Sequence, residues 1–261
     1  MYYLGLDIGS LSCDAVLVDH EERILASSVV PTGAKNREAI ARATDEVLRA
    51  SGISRSDVKA IVSTGYGRER VEDRLATVTE ISCHARGILA RVPKTQILID
   101  IGGQDSKAIR IDKSGRVADF AMNDKCAAGT GRFLEAMARA LQIDLEEMSQ
   151  FHGEIKDACT LSSMCTVFAE SEVVSLIADG IEMRKIVNGL NAAIAARTVT
   201  LVKRIAPNIE GLSISMSGGV ARNAGVVRAL SEALKRDISI PENPDTIGAL
   251  GAALIARERA I

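Results

Sequence analysis

The sequence has no tryptophan, three tyrosines and four phenylalanines in 261 residues. Aromatic platforms for stacking nucleic-acid bases are therefore not expected. Charge of one sign is not in excess either: 34 acidic and 32 basic residues leave a formal charge of −2. That balance advertises neither nucleic acid nor an anionic membrane as a partner. No run approaches the ~18 uninterrupted apolar residues needed to span a bilayer. The opening MYYLGLDIGS lacks the basic and long apolar regions of a secretory signal. The expectation is a cytoplasmic protein. Three motifs are also missing: CxxC, the Walker GxxxxGK[ST], and GxGxxG at a strand end.

What is present is the balance of a soluble globular chain, 47% apolar and 25% charged. The length accommodates two small lobes or one large α/β unit. Alternating apolar residues predict a hairpin, YYLGLDIGS and CDAVLVD around a Gly9-Ser10 turn, followed by a third strand, RILASSVVP. AKNREAIARATDEVLRASG has helical spacing and a Gly52 stop, and VKAIVSTGYG reads as a buried strand entering a glycine turn. The pattern then recurs: LGLDIGSLSCDAVLVDHEERILASS against ILIDIGGQDSKAIRIDKSGRVADFA. A single repeat of this kind predicts two related lobes, since a solenoid needs about three units or more. The second half reads as mostly helical. Helices are expected in GTGRFLEAMARALQID, TVFAESEVVSLIADG, MRKIVNGLNAAIAARTVTLVKRIA, NAGVVRALSEALKR and TIGALGAALIARERA, with strands in GLSISMSGG and ISIP.

Glycine turns after strands cradle phosphate, because bare backbone N–H groups can face an anion without an obstructing Cβ. Asp7-Ile-Gly-Ser and Asp100-Ile-Gly-Gly-Gln-Asp-Ser are two such turns, each preceded by a carboxylate. Facing one another, they would clamp a polyphosphate while Asp7 and Asp100 hold Mg²⁺ through its waters. One such turn alone would be an ordinary hairpin; the repeat shifts the balance. A third turn, Ser217-Gly218-Gly219-Val220-Ala221-Arg222-Asn223, lies between a strand and a helix, where a flat nucleoside can approach the backbone.

Five cysteines, an odd number, do not suggest a disulfide framework. Cys126, in NDKCAAGTG, and Cys165, in SSMCTVFAE, each precede a predicted helix, with Ser162, Ser163 or Thr166 as start signals. A thiolate at a helix N-terminus is stabilised by the partial positive charge there. Two thiols are too few for a four-cysteine iron–sulfur site, but a two-fold dimer would supply four. The residues equally allow both thiols to be buried or redox-silent. Cys159 is a competing ligand, and Cys13 and Cys83 read as structural.

In order, the three turns resemble those of the actin, sugar-kinase and heat-shock-chaperone ATPase superfamily. The resemblance implies an α/β fold of two duplicated, ribonuclease H-like lobes with ATP or ADP in the cleft. Residues 1–93 with 246–261 would form the first lobe, the C-terminal helix returning to it, and 94–245 the second lobe with the two helix-start cysteines. It puts Asp7, Gly9, Ser10, Leu11 and Ser12 on the first phosphate loop. Asp100, Gly102, Gly103, Gln104 and Asp105 fall on the second, and Gly218 and Gly219 on the adenosine loop. Asp7, Asp100, Gln104 and Asp105 are the candidate catalytic residues, with the identity of the base left open.

STGYGR, TEISCHARG, DIGGQDSKAI, MNDKCAAGTGRFLE, CTVFAESEV and SGGVARN narrow the resemblance to the ATP-dependent activators of 2-hydroxyacyl-CoA dehydratases. These share a family with ATPase subunits of benzoyl-CoA reductases. The resemblance implies a homodimer in which Cys126 and Cys165 of both chains ligate one [4Fe–4S] cluster. Ferredoxin or flavodoxin would be the electron donor, and a dehydratase the partner that receives one low-potential electron at the expense of ATP. The alternatives are a small-molecule kinase of the same superfamily, a benzoyl-CoA reductase-type ATPase subunit, or a nucleotide-binding scaffold.

Overall fold

The computed structural model describes residues 1–151, 158–161 and 165–260. The start signals Ser162 and Ser163 lie outside the described residues. The first predicted hairpin forms as β1 (Tyr2–Ile8) and β2 (Ser12–Asp19), and β3 (Ile24–Pro31) continues the antiparallel meander. Helix α1 (Asn36–Ser51) ends where Gly52 turns left-handed at φ 69°. The chain then returns as β4 (Val58–Thr64), parallel to β1, with the short β5 (Ala76–Thr77) beside it. The strand order of this sheet is β3-β2-β1-β4-β5.

The second sheet repeats the plan. Its strands are β6 (Ile97–Ile101), β7 (Ser106–Ile111), β8 (Val117–Asn123), β9 (Ile214–Ser217) and β10 (Ile238–Ser239). They are ordered β8-β7-β6-β9-β10, antiparallel in the meander and parallel from β6 to β10. Position for position this is the order of the first sheet, so the repeat seen in sequence is a repeat of topology. β1 and β6 are central strands, buried along nearly their whole length, and their polar ends, Asp7 and Asp100, occupy equivalent positions.

The helices α3 (Gly131–Leu141), α4 (Leu145–Gln150), α5 (Thr166–Ala178), α6 (Met183–Ile205) and α7 (Ala224–Leu234) belong with the second sheet. Buried residues of α3, α5, α6 and α7 share one apolar core with Ile97, Ile99 and Met216 of that sheet. α7 is capped by Asn223, whose side chain accepts from the Val226 N–H at 3.1 Å. None of the described helices is long and apolar enough to cross a membrane.

Two helices join the halves. The last, α8 (Ile247–Arg259), is buried among β1, β2 and β4. α2 (Glu80–Arg91) is not among the helices expected from the sequence. Cys83 packs with the first core, whereas Ala85 and Ile88 pack with Leu98, Ile109 and Ile111 of the second sheet. Its buried residues thus serve both cores. α2 and α8 cross at backbone contact: a Cβ on Gly251 would overlap the Cys83 carbonyl. Gly251→Ala should therefore cost about 3 kcal/mol, since the obstacle is main chain and cannot swing aside. A fall in melting temperature of roughly 10 °C would register it; an unchanged melt would contradict this packing.

Candidate active site between the lobes

The polar ends of β1 and β6 converge on a cavity of about 390 Å³ between the two sheets. Among the expected residues, Asp7, Gly9, Ser10, Leu11, Ser12, Asp100, Gly102, Gly103, Asp105, Gly218 and Gly219 line it together. Gln104 is outside the lining and exposed to solvent. Both phosphate turns close by the same backbone bond: Gly9 N–H to the Ser12 carbonyl at 2.9 Å, and Gly102 N–H to that of Asp105 at 3.0 Å. Gly218, at φ 85°, is required where it stands, because any Cβ would strike the Ile101 carbonyl and press on Asp100. The third turn thereby closes directly over the end of β6.

Sequence reading missed the residues that organise this cavity: Asp14, Tyr66, Glu80, His84 and Lys107. His84, on α2, is buried between the two turn aspartates, with Nε2 3.6 Å from Asp7 Oδ2 and Nδ1 3.3 Å from Asp100 Oδ1. Burial alone would depress its pKa; the Asp100 and Asp7 carboxylates outweigh this and push it up to about 9. The ring is an imidazolium at neutral pH and bridges equivalent positions of the two halves. Asp100 also accepts from Ser217 Oγ at 2.7 Å and from Lys107 Nζ at 3.2 Å. Burial works against its charge, yet His84 and Lys107 hold its carboxyl below the usual range.

Lys107 stands directly opposite Asp100 in the β6–β7 ladder. Its buried ammonium meets Asp105 at 2.7 Å, Glu80 at 2.9 Å and Asp100 at 3.2 Å. Burial would lower its pKa, but these carboxylates hold it well above the ordinary lysine value. Glu80 comes from α2 and the other two from the second sheet, so this cation also ties the halves together. Tyr66 adds a further link, its hydroxyl 3.4 Å from Asp105 Oδ2. Burial raises the Glu80 carboxyl above its usual range. In total eight carboxylates and three cationic side chains, His84, Lys107 and Arg222, line the cavity. Such a wall opposes the entry of a polyphosphate that brings no neutralising charge with it.

The cysteines fall into two groups. Cys13 and Cys83 are fully buried, and burial pushes each thiol up to about 12. They are packing residues, as expected. Cys159 is half-buried, and burial raises its thiol as well. Cys165 is exposed and is itself the N-terminal cap position of α5. Cys126 is half-buried, but it does not sit at a helix start: α3 begins at Gly131 after a turn closed by Thr130 N–H to the Ala127 carbonyl at 3.0 Å. The α3 start is fastened to the second phosphate turn. Gly131 N–H donates to the Gly102 carbonyl and Arg132 N–H to the Gly103 carbonyl, both at 2.9 Å, and Thr130 Oγ1 also reaches the Gly103 carbonyl at 2.9 Å. Among the described residues no cluster of three or more His, Cys, Asp or Glu is arranged to hold a metal ion.

Two sheets of equivalent order, with a buried charged cleft between them, define an α/β protein of the two-lobed actin and sugar-kinase class. The fold is shared with a ROK hexokinase of Thermus thermophilus, at a TM-score of 0.56 and 18% identity, covering 100% of both chains. More particularly, the chain belongs to the BadF/BadG/BcrA/BcrD ATPase family, whose pattern matches residues 4–256, and it is an ATPase of that family. It is 47% identical to the activator of lactoyl-CoA dehydratase of Anaerotignum propionicum, over 100% of this chain and 99% of the relative. Among solved structures, it matches the activator of the 2-hydroxyisocaproyl-CoA dehydratase from Clostridium difficile with bound ADPNP. That match has a TM-score of 0.92 and 42% identity, covering 100% of this chain and 96% of the other.

Proposed function

We propose that this chain is a reductive activator: it binds and hydrolyses ATP between its lobes and, as a homodimer, delivers one low-potential electron to a 2-hydroxyacyl-CoA dehydratase. The observation that carries the reading is the fastening of α3 to the second phosphate turn through Gly102 and Gly103. A γ-phosphate seated on those glycines acts, through three hydrogen bonds, on the segment that carries Cys126. The relatives' activity as dehydratase activators supplies the partner.

On the nucleotide side, Asp7 and Asp100 flank the polyphosphate and meet its Mg²⁺ through water. Both oxygens of Asp100 already accept from Ser217, His84 or Lys107, so Asp7 has the freer carboxylate. Between the two candidate residues for orienting the attacking water, the choice falls on Asp105, which faces the cavity with Lys107 fixing one oxygen. Gln104, exposed outside the lining, is not needed there. His84, Glu80–Lys107 and Tyr66–Asp105 link the halves, so a ligand that alters Asp100 or Asp105 alters the relation of the lobes. Coupling requires that ATP and ADP favour different arrangements; affinity alone shifts nothing.

On the electron side, the cysteines of the two motifs are Cys126, half-buried, and Cys165, exposed, and two per chain make half of a four-thiolate set. When bound, a [4Fe–4S] cluster supplies a one-electron couple that thiolate ligation can set at low potential. Cys165 stands at the N-terminal cap position of α5. Beside it Val167 and Phe168 are 69% and 67% exposed, and Val174 and Ile177 follow along α5, an apolar face that a second copy would cover. Ferredoxin or flavodoxin is the class of donor that fits such a potential.

Anaerobic purification with iron and sulfide analysis, and measurement of mass in solution, tests the reading. A dimer with about four irons per two chains is expected. A colourless protein that resists anaerobic reconstitution yet hydrolyses ATP would leave only the ATPase.

A further inference from the structure

The turn after β4, Ser63-Thr64-Gly65-Tyr66-Gly67-Arg68, is built against the end of β1. Thr64 stands beside Asp7 in the parallel ladder, and the Gly67 N–H donates to the Ile8 carbonyl at 3.0 Å. Gly65 has φ 87°, and a Cβ there would press on the Ile8 carbonyl and on Asp7. Ser63 Oγ closes the turn on the Arg68 carbonyl at 2.9 Å. The backbone on both sides of Tyr66 is therefore fixed by the first sheet, while Tyr66 itself is 54% exposed and lines the cavity.

Its side chain crosses the cleft. The hydroxyl stands 3.4 Å from Asp105 Oδ2, the same oxygen that Lys107 Nζ holds at 2.7 Å. Partial burial and the Asp105 and Glu80 carboxylates push the phenol up to about 12, so it keeps its proton and can donate to the carboxylate. Two donors, one from each half, thus meet on one oxygen. The other oxygen, Oδ1, lies against the second phosphate turn, where a Cβ on Gly102 would come within 2.7 Å of it. A carboxylate gripped by one donor keeps some freedom to turn; a second donor from another direction restricts its plane. At 3.4 Å the Tyr66 contact is longer than a good O–H···O bond, so a small approach of the lobes would strengthen it and a small separation would break it.

We propose that Tyr66 is a positioning residue for ATP hydrolysis: from the first lobe it fixes the orientation of Asp105, so that the attacking water is aligned only when the lobes stand close. The proposal rests on the nucleotide reading above, in which Asp105 orients that water, and deepens it. In the step itself the water oxygen bonds to the γ-phosphorus, the bond to the bridging oxygen of ADP breaks, and a proton leaves to solvent. In this role Tyr66 touches none of the reacting atoms and acts through Asp105. Its loss should therefore lower kcat and leave KM in place.

The test is steady-state ATP hydrolysis by the full chain, for wild type, Tyr66→Phe, Asp105→Asn and the double variant. Phenylalanine keeps the ring and removes only the hydroxyl. In Tyr66→Phe kcat should fall about tenfold, the size expected for one hydrogen bond to a charged group, with KM within about twofold of wild type. On the Asp105→Asn background the same change should cost nothing further, a dependence that a packing role of the ring would not produce. Wild-type kcat in Tyr66→Phe, a loss carried by KM, or the same tenfold loss repeated on Asp105→Asn overturns the proposal. If Asp105→Asn does not fold, kcat and KM of Tyr66→Phe decide alone. Wild-type turnover in Asp105→Asn overturns the reading of Asp105, and this proposal with it. Wild-type turnover in Tyr66→Phe beside a slow Asp105→Asn overturns this proposal and leaves that reading standing.

Discussion

Asp7→Asn is expected to slow ATP hydrolysis by at least about a hundredfold while leaving the fold and iron content in place. The side chain stands where β1 enters the Gly9 turn and carries the freer of the two turn carboxylates. Asparagine fills the same space, which matters because α8 abuts it at Gly248. The contact it weakens, to His84 at 3.6 Å, is longer than a good hydrogen bond, and His84 retains Asp100 at 3.3 Å. Asp100→Asn would not separate the effects so well. It removes a carboxylate from two buried cations at once, and breaking a buried pair costs about 3–5 kcal/mol of stability in addition to any catalytic loss. ADP release at saturating ATP and Mg²⁺ is the measurement, with melting temperature and iron as controls. Wild-type turnover in Asp7→Asn would remove Asp7 from the hydrolytic site.

The repeat of an Asp-Ile-Gly hairpin was visible in the sequence because strand alternation and glycine turns are local signals. They led to two meanders, and the equivalent sheet orders follow from them. The glycine turns that line the cleft were legible for the same reason. α2 was not among the helices expected, and His84 acquires its role only where β1 and β6 converge on it. Lys107 escaped notice because the first copy has Asp14 in its place, and a charge inside an apolar strand says nothing of its partner across the cleft. Gln104 and Asp105 are neighbours in one motif, but the turn sends them to opposite sides, one to solvent and one to the cavity. Cys126 was expected at a helix start; the four residues after it form a turn instead, because Thr130 uses its hydroxyl on the Ala127 and Gly103 carbonyls.

Cys126→Ala and Cys165→Ala should each abolish bound iron, and the reason is stoichiometric. In a two-fold dimer each substitution is made twice, so one change removes two of four thiolates and leaves no four-cysteine site. The same proteins should still hydrolyse ATP, because neither cysteine lines the nucleotide cavity. Asp7→Asn should give the reverse pattern, iron without turnover. Cys159→Ala separates the competing ligand: its backbone N–H is held by the Lys185 carbonyl at 3.0 Å, it packs closely on Gly189, and its removal should leave the iron complement unchanged. Iron and sulfide analysis after anaerobic reconstitution reads all of these variants. A full iron complement in either Cys126→Ala or Cys165→Ala would sink the shared cluster, whereas iron lost only in Cys159→Ala would move the ligand set. The pairing of opposite losses is what gives the test its force. A general failure to fold would remove iron and turnover together, so only a protein with two separate sites can lose each alone.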